Sequence, residues 1–78
     1  MIVKLTGEFV INTGRKEIEL YGPTTIKGLL NALGNSYPGG GWDNCNVAIN
    51  GTMYTDYWLH PIKEGDEIVI KEYLILYM

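Results

Sequence analysis

One stretch of this chain carries apolar residues at helical spacing, and the apolar residues around it alternate instead. In "TTIKGLLNAL" the side chains of Ile26, Leu29, Leu30 and Leu33 fall at i, i+3, i+4 and i+7, a single stripe along one side of a helix. Val3 and Leu5 alternate with Lys4 and Thr6, and Ile18 and Leu20 with Glu17 and Glu19, which is the period of strands. A lone amphipathic helix hides its stripe most simply against the apolar face of a sheet. At 78 residues there is room for one core only. The pattern therefore predicts one α+β domain over residues 1–78, with one main helix across a mixed sheet of four to five strands.

The boundaries follow from local chemistry. The first strand is expected to run irregularly on through Phe9 to Ile11, and "NTGR" to turn it into an antiparallel partner at "KEIEL". Thr25 is the expected N-cap of the helix and Gly34 the left-handed residue that ends it. Gly28, inside the helix, suggests close packing. "CNVAINGTMY" places Asn50-Gly51 between two extended runs, a strong hairpin signal leading into a short fourth strand. A turn at Lys63 to Asp66 precedes a last strand with Ile68 and Ile70 on one face and Val69 on the other, so that strand is expected to be central.

Composition narrows the function classes. Six basic residues, scattered, and a net charge of −3 disfavour nucleic acid and suit a protein partner. No apolar run approaches the roughly 18 residues of a membrane span. "MIVKLTGEF" lacks the features of a signal peptide, and a cytoplasmic protein is expected. Cys45 is the sole cysteine, with no thiol to pair with; on the face of Val47 and Ile49 it reads as a packed core thiol.

No catalytic, cofactor-binding or metal-binding residues are expected. His60 reads as a loop histidine, and "PGGGW" lacks the Lys-Ser/Thr of a phosphate loop and reads as a flexible connection. Asp56, Glu64, Asp66 and Glu67 read as solvated turn charges. Trp42, Tyr54, Tyr57 and Trp58 form either a contact patch or core packing, with packing slightly favoured.

Four segments in order, "TGRKEIEL", "TTIKGLLNAL" followed by "YP", "VAINGTMY" and "HPIKEGDEIVI", give the chain its resemblance to a known family. It resembles the ubiquitin-like β-grasp proteins of the ThiS and MoaD type, small sulfur carriers of thiamine and molybdopterin biosynthesis. The resemblance implies a β-grasp fold and a partner such as an E1-like or other cofactor-biosynthesis enzyme. It also implies a C-terminal Gly-Gly that carries a thiocarboxylate, because only a tail without Cβ atoms threads a narrow active-site channel.

Here Tyr77-Met78 stand where the diglycine would be, and no glycine follows Gly65. The divergence points to partner binding without thiocarboxylate chemistry, through Tyr73, Leu74, Ile75, Leu76, Tyr77 and Met78. Both faces of such an extension are apolar, which also suggests a homodimer through the C-terminal strand. The alternative is a structural or regulatory β-grasp module, such as a small subunit of a larger enzyme.

Overall fold

The computed structural model describes residues 1–39, 41–42, 45–54 and 58–72. Five strands and two helices follow in the order β1 (Ile2–Leu5), α1 (Glu8–Thr13), β2 (Glu17–Glu19), α2 (Ile26–Ser36), β3 (Cys45–Ile49), β4 (Thr52–Tyr54) and β5 (Ile68–Glu72). The strands form one sheet in the order β2-β1-β5-β3-β4. β5 is parallel to β1, with Leu5 opposite Ile70, and antiparallel to β3, with Val47 opposite Ile70. Parallel neighbours need a crossover connection, and α2 lies in the one that links β1 to β5. This is a β-grasp fold.

The core follows from the two periods. Val3, Leu5, Ile18, Val47, Ile49, Ile68 and Ile70 point to one side of the sheet and meet the α2 stripe of Ile26, Leu29, Leu30 and Leu33. β5 is central, as its two apolar faces predict: Ile68 and Ile70 are buried, and Val69 is half-buried on the opposite face. The β3–β4 connection has Asn50 at φ 52° and Gly51 at φ 86°, the left-handed pair that a two-residue Asn-Gly hairpin requires.

Both ends of α2 are held from outside the helix. Thr25 caps it, accepting from the Gly28 N–H at 3.1 Å. The N–H groups of Ile26 and Lys27, which lack intrahelical acceptors, donate to the carbonyls of His60 (3.1 Å) and Trp58 (2.9 Å). At the other end the helix runs past Gly34 to Ser36, and Tyr37 donates to Leu33 O. Gly34 is therefore not the terminator that a left-handed glycine would be; it lies inside the helix, facing Trp42. A Cβ on Gly34 would stand 3.7 Å from Trp42 Cδ1. Gly28 packs against the cap itself, where a Cβ would lie 3.4 Å from Thr25 Oγ1.

The segment from Phe9 to Ile11 is helix, not strand. In a strand Phe9 and Ile11 would share one face; here Phe9 is buried and Ile11 is 73% exposed. Gly7, at φ 56° and ψ −128°, breaks the strand before them, and Gly14 closes α1 in the left-handed region with its N–H on Val10 O at 2.8 Å. The turn expected at "NTGR" is thus the end of a helix, and β1 and β2 pair across it with Val3 opposite Ile18.

Candidate functional site

Among the described residues, two surfaces stand out beyond the core. The first is the sheet face turned away from α2. Alternation and register line up Lys4, Val69, Ala48 and Met53 across β1, β5, β3 and β4, with Ile2 two residues before Lys4 on the same face. Ile2 is 51% and Met53 45% exposed, whereas Ala48 is buried between its strand neighbours. Charged side chains frame this strip: Glu17 and Glu19 on β2, Lys71 on β5. An apolar centre inside a charged rim is the anatomy of a protein docking face.

The second surface is a groove of about 920 Å³ along α2. Its floor is the edge of the helix from Lys27 to Asn35, with Leu30 and Gly34 at the bottom; Trp42 walls one end and Trp58 and Leu59 the other. The hydrogen bond from Lys27 N–H to Trp58 O holds the Trp58–Leu59 turn against the helix. Trp42 is fixed by its indole N–H on Tyr37 O at 2.9 Å and by stacking on Phe9 at 4.8 Å. Leu59 is 80% exposed at the groove lip.

The sequence-based candidates distribute unevenly over these surfaces. Trp42 is core, while Tyr54 and Trp58 are half-buried against it; Tyr57 and Asp56 lie outside the described residues. Trp42 makes the glycine-rich loop a contributor to the core as well as a connection, a role its composition does not announce. Cys45 is buried and its Sγ donates to Trp42 O at 3.3 Å. His60 stacks on Tyr54 at 4.0 Å. Asp66 has a structural role beyond a solvated charge: its carboxylate accepts from Lys63 N–H (2.9 Å) and from the Asn50 amide (3.0 Å). Those two donors hold its carboxyl below the usual carboxylate range.

Tyr73, Leu74, Ile75, Leu76, Tyr77 and Met78, the expected partner-binding residues and the expected homodimer strand, lie outside the described residues. Their point of departure is well defined. Glu72 pairs with Cys45, its carbonyl accepts from the Asn46 amide, and its carboxylate accepts from Glu8 N–H. Thr6 Oγ1 donates to Ile70 O at 2.9 Å on the other side of the strand. The groove has no signal in the sequence, because its walls come from helix and loops far apart in the chain.

The family model of the ThiS family matches residues 3–70, from β1 to the middle of β5. The chain belongs to the ThiS family. It is a small protein of the sulfur-carrier type, and proteins of this family work with partner enzymes. No curated protein matches the sequence. The matched span contains both surfaces except for Ile2 and Lys71, and it stops short of residues 73–78.

Proposed function

We propose that this ThiS-family protein acts by docking its outer sheet face and the segment after β5 onto a protein partner, an E1-like or other cofactor-biosynthesis enzyme, without forming a terminal thiocarboxylate. The observation that carries this reading is the exposed apolar pair Ile2 and Met53 on the outer sheet face; in the sequence, the segment after β5 is bulky at every position. A diglycine arm reaches an active site because it is thin; Tyr73 to Met78 carry side chains suited to a groove or a sheet edge instead.

Incubation with an E1-like enzyme of the same host and ATP tests both halves. Mass spectrometry is expected to show no acyl-adenylate and no thiocarboxylate, and calorimetry to show binding. Met53→Asp, at the rim of the strip, is expected to weaken that binding about tenfold, the ~1.4 kcal/mol scale of a moderate interface contact. A thiocarboxylate on the protein refutes the first half, and wild-type affinity for Met53→Asp refutes the second.

A further inference from the structure

We infer that the α2 groove is a docking site for an extended segment of a partner protein, one in which apolar side chains alternate and a carboxylate stands at one end. Lys27, Asn31 and Asn35, each four residues from the next on α2, form a ridge along one side of the groove. Neighbours on such a ridge are about 6 Å apart. Side chains on one face of an extended chain recur at about 6.6 Å. A strand laid beside α2 therefore stays in step with the ridge from Lys27 to Asn35.

The chemistry of the ridge fits the backbone of such a segment. Among the described residues, the side-chain amides of Asn31 and Asn35 have no hydrogen-bond partner. Each offers donors and an acceptor, the counterpart of the C=O and N–H that an extended backbone presents. Leu30 and Gly34 lie one row deeper, between Trp42 and Trp58, and Gly34 contributes no side chain, which deepens the base beside Trp42. Apolar side chains pointing down from every second position of the segment meet this base. They also cover Leu59, which is four-fifths exposed at the lip.

Charge sets the polarity of the occupant. Among the described residues that line the groove, Lys27 alone is charged, and it makes no ion pair with another described residue. Its N–H on Trp58 O places it at the Trp58 end. In a chain of net charge −3 this local cation gives a carboxylate its favourable position at that end and disfavours a basic segment. The groove is separate from the outer sheet face, so the inference does not rest on the function proposed above.

The probe is a displayed library of random short peptides, panned against the full chain after removal of those that also bind Leu59→Asp. Leu59 is exposed, so this substitution alters the groove without disturbing the core. The enriched sequences are expected to alternate apolar residues and to carry Asp or Glu at one end. Both tryptophans of the protein line the groove, and the synthesised consensus peptide is expected to shift their indole N–H signals together with the Asn31 side-chain amide. Lys27→Glu should weaken its binding about tenfold. Lys16→Glu, an equal change of net charge at an exposed residue outside the groove, should leave it at wild-type strength. No enrichment, a consensus without an acidic residue, or equal weakening by both charge reversals overturns the inference. Octanoate that shifts the same signals with the peptide's affinity reassigns the groove to a small apolar acid. Indole signals that move on dilution of the protein alone reassign it to a second copy, and either result overturns the inference equally.

Discussion

The carboxylate of Glu72, the last residue of β5, accepts a hydrogen bond from the backbone N–H of Glu8 in the first turn of α1. The N-cap position of that helix is Gly7, which has no side chain to cap with, so the cap comes from a strand 64 residues away in sequence. A Cβ on Gly7 would run into the carboxylate of Glu72. Glycine at this position serves two needs at once: a backbone at φ 56° and ψ −128°, and space for the incoming carboxylate. Gly7→Ala is expected to cost about 1–3 kcal/mol through backbone strain, and Glu72→Ala about 1 kcal/mol through the lost cap. Urea denaturation of the two variants checks both values.

Gly34→Ala is expected to stabilise the protein. The glycine lies within α2, and the added methyl meets Trp42 Cδ1 at an ordinary 3.7 Å. Alanine is better than glycine in a helix interior by about 0.8–1 kcal/mol. The midpoint of thermal unfolding should rise; a fall would mean that Gly34 terminates the helix after all.

The Asn50 side chain ties the β3–β4 turn to the entrance of β5. Its amide donates to Asp66, its carbonyl oxygen accepts from Glu67 N–H at 2.9 Å, and its own backbone N–H donates to Glu67 O at 2.8 Å. Asn50 also occupies the left-handed region, where alanine is disfavoured. Asn50→Ala is expected to cost about 1–3 kcal/mol from the combined loss, measured by denaturant unfolding.

Asp66 supplies a pH dependence with a defined sign. Its carboxyl is lowered first by the Lys63 N–H and then by the Asn50 amide, so the folded form holds its proton less tightly than the unfolded chain. Its contribution is fully present above the unfolded carboxyl value of about 3.9 and is lost as pH falls through the lower folded value. Stability measured from pH 5 to pH 2 should therefore fall less steeply in Asp66→Asn than in wild type. Equal slopes would show that the two hydrogen bonds do not favour the ionised form.

Cys45 should be silent toward thiol reagents in the folded protein. It is 2% exposed and its Sγ is directed at Trp42 O. An aromatic disulfide reagent is expected to titrate no thiol without denaturant and one with it, so the labelling rate follows opening of the Trp42 region.

Residues a few positions apart encode most of the secondary structure. The α2 stripe, the Thr25 cap, the Asn50-Gly51 turn and the central position of β5 all rest on periodicity or on one residue's conformational preference, and each is legible without knowing what it packs against. Phe9, Val10 and Ile11 are not. Three consecutive apolar residues fit either period, and α1 forms because Gly7 breaks the strand and Glu72 arrives to cap the helix. Gly34 is equally ambiguous, a stop signal by composition and a helix residue once Trp42 lies across it. The α2 groove belongs wholly to the tertiary structure, because Trp42 and Trp58 are held beside one helix by the Trp42 indole N–H on Tyr37 O and by the Lys27 N–H on Trp58 O. Local pattern determines which segments are helix or strand, since both periods repeat within a few residues. Distant contacts decide where an ambiguous segment goes and which surfaces meet, since that choice depends on what fills the space beside it.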